Sequence, residues 1–452
     1  MKEVVIASSP IDAGISCWDL ISGAEQLRYR SCTSPPHGLL CLGRRFLVSS
    51  QLRDPSSSSS SGSILYWSWN KPQPEVKSFP AEPISPLVSN TDGTYIIGGG
   101  SSGNIYLWEV ASGRLLKKWN AHYRAVTCLV LSDDESLLIS GAEDGFVRVW
   151  SLLMMFDDIG NTMATHLYEH NFSEHTLRVT DIVSGYGGCN AIIISSSEDR
   201  TCKVWSLSKG KLLRTIDFPS IIDAIALDPG EHVFYAGGRD GKIYIASLTG
   251  DSNSTSKYGM HIVGALSDHS KAVTCLALSV DGVKLVSGFE DGTIWIWNTT
   301  SKKMIRVLKH AKGPVSNVLV VSRSPQVQSS VITQASISRR HASSLPPPLD
   351  KYMNSSDENV DLKPVNALQA PHSETLDAFY CSYHVMKNQI KELQQEGSSA
   401  ASELELERLR VESNRSLQVA QQWKKMYDDL HLFSVNELVE GGQTGVSYET
   451  SA

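Results

Sequence analysis

Three stretches of this chain repeat one pattern: LLISGAEDGFVRVW (137–150), IIISSSEDRTCKVW (192–205) and KLVSGFEDGTIWIW (284–297). Each has a short apolar run, a small-residue step, Glu-Asp, and an alternating run that ends in Trp. The Asp-to-Trp offset is the same in all three, from Asp144 to Trp150, Asp199 to Trp205 and Asp291 to Trp297. A weaker copy, YIIGGGSSGNIYLW, ends at Trp108. Successive Trp residues lie 42, 55 and 92 positions apart, and the last gap holds a copy, FYAGGRDGKIYIASL (234–248), in which Ala246 takes the Trp position. A repeat of this length is a structural unit that cannot bury its own faces and must stack on its neighbours.

The alternation in runs such as Phe146–Trp150 is that of strands with one buried face. Asp-Gly at 144–145, 240–241 and 291–292 marks tight turns between them. Four short strands per unit and a period near 40–45 residues predict an all-β chain, a WD40-type β-propeller whose blades pack radially. Seven blades are expected within 1–321. Blade one has strands at 3–8, 14–20 and 25–30, and the others cover 38–80, 84–119, 124–170, 175–217, 220–266 and 271–309. Blade one lacks an innermost strand. The run Gly313–Val321 supplies one, and so is expected to close the ring and remove the exposed edges. The serine-rich stretch 56–63 and the polar stretch 249–258 read as surface loops. Residues 152–174 form a longer connection with an apolar start, suited to outer-strand packing or to a partner contact.

Beyond the ring the composition changes. Residues 322–375 are rich in Ser and Pro and predict a flexible linker. In 376–435 helical periodicity returns. Leu376, Phe379, Tyr383, Met386, Ile390 and Leu393 follow three- and four-residue spacing, and so do Leu406, Leu409, Trp423, Tyr427 and Leu430. Such a coiled-coil-like stripe needs a surface to bury against, whether the propeller, a second copy or another subunit. A disordered C-terminus is expected over 436–452.

The formal net charge is −7, with 41% hydrophobic and 20% charged residues. No basic bias points to nucleic acid. Eight cysteines are scattered without a C-x-x-C pair, which predicts buried reduced thiols rather than zinc or redox sites. No signal-peptide core or membrane-spanning run is legible, so a soluble intracellular protein is expected. No cofactor and no metal site are expected.

One constellation invites a catalytic reading. His122, Ser140 and Asp144 recur with Trp150; His175, Ser195 and Asp199 with Trp205; His269, Ser287 and Asp291 with Trp297. His, Ser and Asp could form a nucleophilic triad. Three copies on three blades could hardly serve one pocket, so the sets are expected to be buried structural networks that satisfy one another. No enzyme activity is predicted.

A longer text carries a resemblance: VVIASS with GISCWDLISG (4–23), the run from Ser63 to Gly113, residues 121–157 and 195–248, and, more loosely, Gln422-Trp-Lys-Lys-Met-Tyr427. The chain resembles the WD-repeat subunits of the nuclear complex that matures large ribosomal subunit precursors, in their plant, Root Initiation Defective form. The resemblance implies a non-catalytic scaffold of the nucleolus and nucleoplasm that acts in internal-spacer processing of rRNA. It further implies partnership with a helical-repeat scaffold subunit and further subunits, with pre-ribosomal large-subunit particles and indirectly with an AAA-type remodelling ATPase. A link to DNA replication licensing and assembly through the C-terminal helices are implied as well. The serine loop and the linker lie outside that family pattern. A different class, the substrate receptor of a cullin-type ubiquitin ligase, would carry Trp-Asp-x-Arg at its blade ends. Here they read Trp18-Asp19-Leu20-Ile21, Trp150-Ser151-Leu152-Leu153, Trp205-Ser206-Leu207-Ser208 and Trp297-Asn298-Thr299-Thr300.

Overall fold

A computed structural model describes residues 2–11, 13–30, 32–43, 45–51, 62–152, 155, 168–248, 255–256, 259–267, 269–323 and 345–353. Seven four-stranded antiparallel sheets are present among them. Blade two comprises Leu39–Leu42, Phe46–Gln51, Ser63–Ser68 and Val76–Ser78; blade three Ile84–Ser89, Tyr95–Gly100, Asn104–Glu109 and Leu115–Asn120. Blade four comprises Val126–Leu131, Leu137–Ala142, Val147–Ser151 and Tyr168–Phe172; blade five Val179–Ser184, Ile192–Ser197, Thr201–Ser206 and Lys211–Asp217. Blade six comprises Ile222–Leu227, Val233–Gly238, Ile243–Ser247 and Ile262–Leu266; blade seven Val273–Leu278, Lys284–Phe289, Thr293–Asn298 and Lys303–Lys309.

Blade one is built from both ends of the ring. Lys2–Ser8, Ile15–Asp19 and Glu25–Tyr29 take their innermost strand from Asn317–Arg323, with Val5 opposite Val320 and Lys2 opposite Arg323. The joint is polar beneath the ladder. Asn317 Nδ2 donates to Pro35 O (2.7 Å) and Ser8 Oγ (2.9 Å), and Ser316 Oγ donates to Ser34 O (2.7 Å). Buried amide and hydroxyl groups are thus paired rather than left to face an apolar interior.

The core follows the ring. Seven apolar clusters are found among the described residues, one at each junction between consecutive blades. The alternating pattern explains this: each blade shows one set of side chains to each neighbour. Trp67, Trp108, Trp205 and Trp297 are among the largest fully buried side chains. In blade six, where Ala246 replaces the Trp, Phe234 stands directly opposite it. Phe218 packs 5.6 Å from Tyr244 and 6.4 Å from Phe234, so aromatic bulk from neighbouring strands fills the space.

Two expectations need correction. The linker does not begin at 322, because the closing strand runs to Arg323, and it is not free throughout. Residues 345–353 lie against blade three as a strap: Leu349 is buried in the cluster between blades two and three, and Asp350 N–H donates to Gly113 O (2.7 Å). The stretch 249–258 is also not wholly loop, because Thr255–Ser256 pairs with Gly259–Met260. Most of the serine-rich stretch, most of the 152–174 connection and the helical stripe from Leu376 to Leu430 lie outside the described residues. Residues 356–452 form a separate unit from Met1–Ser355.

Candidate functional site

The recurring polar sets lie where the loop entering each blade meets the turn between its second and third strands. In blade four, Trp150 Nε1–H donates to Ser140 Oγ (2.9 Å), and Ser140 Oγ lies 2.8 Å from His122 Nε2. His122 Nδ1 lies 3.3 Å from Asp144, whose carboxylate also accepts the N–H groups of Tyr123 and Phe146. Blade five repeats the chain: Trp205 to Ser195 at 2.9 Å, Ser195 to His175 at 2.8 Å, His175 to Asp199 at 2.9 Å. The indole donates to the hydroxyl, the hydroxyl to Nε2, and Nδ1–H to the carboxylate. This order requires neutral imidazole. Burial pushes His122 below the ordinary histidine value against the pull of Asp144, which agrees with that form. Burial raises Asp144 and Asp199, but the hydrogen bonds they accept outweigh it and hold both below the usual carboxylate value.

Blade seven brings only part of its set together. Trp297 Nε1–H reaches Ser287 Oγ at 2.8 Å. His269 does not bond Ser287. Its Nε2 faces Asp291 at 3.2 Å, and its Nδ1 accepts the Lys271 N–H at 3.0 Å. The ring instead stacks on Phe289, with centroids 3.8 Å apart, and meets Trp295 edge-on. The two aromatic neighbours hold the imidazole away from the hydroxyl, so the third network is a pair beside a pair.

The other four blades carry different polar residues around these positions, which a His, Ser and Asp pattern does not pick out, and in blade two the buried Trp67 Nε1–H has no hydrogen-bond partner among the described residues. Blade two uses Cys32, Ser49 and Gln51, with Gln51 Oε1 accepting the Thr33 N–H (2.7 Å) as Asp144 accepts that of Tyr123. In blades three and six the serine position holds Gly98 and Ala236, and a Tyr opposite each takes up a carboxylate: Tyr106 with Glu82 and Tyr244 with Asp240, both 2.6 Å. Blade one uses His310, 3.1 Å from Ser16 Oγ. The signal was the residue two before the Trp position, Tyr106 and Tyr244, in the two blades without a serine.

None of this resembles a catalytic centre. Ser140, Ser195 and Ser287 are fully buried, and their hydroxyls already accept an indole N–H, so no substrate atom can approach. Burial pushes the Cys128 and Cys275 thiols up to about 12 and Cys17 up to about 11, the opposite of an activated nucleophile. Cys32 and Cys202 are also buried, Cys41 is half-buried and Cys189 exposed; Cys381 lies outside the described residues. Among the described residues, no three His, Cys, Asp or Glu side chains converge as a metal site requires.

At the centre of the ring, His37 Nε2 lies 3.2 Å from Thr180 O and 3.7 Å from Asp181, joining the entry to blade two with the inner strand of blade five. Burial raises the Asp181 carboxyl, which accepts the N–H groups of Ile182 and Ile225 (2.8 Å each). On the loop rim, Arg239 bridges Glu198 and Asp223, and Arg178 faces Glu143. Tyr123 and Leu177 are exposed beside these groups.

Comparison with known proteins adds to this geometry. The WD domain, G-beta repeat family matches residues 113–151 and 167–206, and the Vps8 beta-propeller family matches 248–336. The chain is 54% identical over 447 residues to Protein ROOT INITIATION DEFECTIVE 3 of Arabidopsis thaliana, covering 98% of this chain and all of that protein. It is 33% identical to WD repeat-containing protein 18 of Homo sapiens, over 71% of this chain and 73% of the relative. Identity to Pre-rRNA-processing protein IPI3 of Yarrowia lipolytica is 31%, over 71% of this chain and 76% of that protein.

Proposed function

The chain belongs to the WD-repeat family of Root Initiation Defective 3, WD repeat-containing protein 18 and the pre-rRNA-processing protein IPI3, and from that membership we propose that it is a non-catalytic scaffold subunit in ribosome biogenesis. The observation that carries the reading is the similarity to a pre-rRNA-processing protein over 71% of this chain, beside serine–histidine–carboxylate networks in blades four and five that hold loops in place. In this reading the chain serves large-subunit precursor maturation and removal of the internal spacer, in the nucleolus and nucleoplasm. It does so with a helical-repeat subunit and, indirectly, an AAA-type remodelling ATPase. The helical stripe at 376–435 supplies the docking or self-association surface. A contribution to replication licensing would follow from the same scaffold role.

The test is sedimentation of tagged protein in nuclear extract, comparing the full chain with a version ending at Ser355. Co-sedimentation of the full chain alone with large-subunit precursors is the expected result and assigns docking to the tail. Co-sedimentation of both would move docking to the propeller. Absence of both from the precursor fractions overturns the assembly role.

A further inference from the structure

The outer strand of blade two is short, Val76–Ser78, where the other blades have outer strands of five to seven residues. A short outer strand leaves the apolar junction with blade three uncovered at its edge. The strap lies there. Leu349 is 5% exposed and joins the cluster of Leu40, Ile84, Trp108 and Leu115.

The polar contacts match the strap group by group. Leu349 N–H donates to Ser78 Oγ (2.9 Å) and Asp350 N–H to Gly113 O (2.7 Å). Asp350 C=O accepts the indole N–H of Trp108 (3.0 Å). Pro346, Pro347 and Pro348 have no N–H to satisfy, and a proline run is already extended, so ordering it costs little entropy. Gly113 has φ +73°, and a Cβ there would stand 2.4 Å from Pro348 O, so the close approach requires glycine. Trp108 is also specialised. In blades four, five and seven the Trp N–H goes to a serine of its own blade, but here Gly98 holds that position. A buried indole N–H without a partner would be costly, and the strap carbonyl is its partner. Tyr106 stacks on Trp108 at 5.4 Å, and with Leu115 and Tyr352 it lines the pocket beside the strap.

Proline-rich segments dock in aromatic-lined grooves, and here the stacked Tyr106 and Trp108 stand beside the strap, with the indole N–H on the Asp350 carbonyl and Leu349 buried in the apolar cluster. We propose that the cleft between blades two and three is a recognition site for an extended Pro-Pro-Pro-Leu-Asp peptide, and that residues 346–350 are its ligand, held in cis. This assignment does not depend on the ribosomal role.

The test uses the full chain and a labelled synthetic peptide, SLPPPLDKYM (344–353). Leu349→Asp in the chain places a charge in the apolar cluster and empties the cleft. The peptide should bind this variant at least roughly tenfold more tightly than it binds the wild type, whose cleft is open only for a small fraction of the time. Adding Trp108→Phe, which keeps the ring and removes the donor, should weaken that binding several-fold. Equal binding to wild type and L349D, or binding to neither, overturns the proposal. Should L349D fail to fold, amide exchange on the wild type decides. Slow exchange at Leu349 and Asp350 supports the site, and exchange at the rate of an unstructured peptide removes it.

Discussion

His310 Nδ1 lies 3.1 Å from Ser16 Oγ and joins positions 294 residues apart. The same serine accepts Arg28 Nε–H, and Arg28 also donates to His310 O. His310 Nε2 is buried without a hydrogen-bond partner among the described residues. Burial, and then the neighbouring Arg28 charge, lower its value to about 4. In the unfolded chain it titrates near ~6.5. Below that pH the unfolded state takes up a proton that the folded state refuses until about pH 4. The ring should therefore keep its full stability above pH 6.5 and lose about 2–3 kcal/mol by pH 4.5 through this group. Urea melts at pH 7.5 and 4.5 should show the gap narrowing by that amount in His310→Gln. An unchanged gap would mean that the histidine charges in place.

Ser140 and Ser287 hold the same position in two blades but have different partners. Ser140→Ala leaves both the Trp150 indole N–H and His122 Nε2 without this partner, while Ser287→Ala leaves only the Trp297 indole. Each stranded buried group costs about 1–3 kcal/mol. S140A should be the more destabilising by roughly 1 kcal/mol or more, as read by denaturant midpoints at constant slope. Equal losses would mean that His122 repairs its hydrogen bond elsewhere.

Removing everything after Lys309 deletes the strand that covers Lys2–Ser8 and opens blade one along seven paired positions. An unpaired, apolar inner edge is a template for association. The truncated chain should elute as aggregate or fall to protease. A monomeric, cooperatively melting product would show that six and three-quarter blades suffice.

Gly98→Ser restores the residue used in blades four, five and seven, yet it should destabilise. The new Cβ would stand 2.8 Å from Ile84 and 3.0 Å from Trp108, and overpacking of that kind costs about 1–3 kcal/mol. A thermal melt decides, and a gain in stability would mean that the Trp108 ring can swing back to a serine.

The ring was legible because the repeat writes its own geometry. The Asp-to-Trp offset places the turn and the third strand, and Val318 and Val320 alternate as an inner strand should. The strap was not legible, because it has no period: three prolines and one leucine look like linker until the short outer strand beside them is known. His269 misled for a related reason. The sequence shows that it can reach a serine, but not that Phe289 and Trp295 will hold its ring. The networks of blades two, three and six escaped because different side chains satisfy the same backbone donors.

The pairing of Val5 with Val320 sets a schedule for synthesis. A ribosome adding ~5–20 residues per second needs roughly 15–65 s to pass from the first strand to the last, and the exit tunnel delays the last strand further. Throughout that interval the nascent chain carries an open inner edge on its first blade. Whatever shields that edge in the cell acts before the protein has a closed ring, and slower elongation between Ser8 and Asn317 would lengthen the exposure without changing one residue of the finished molecule.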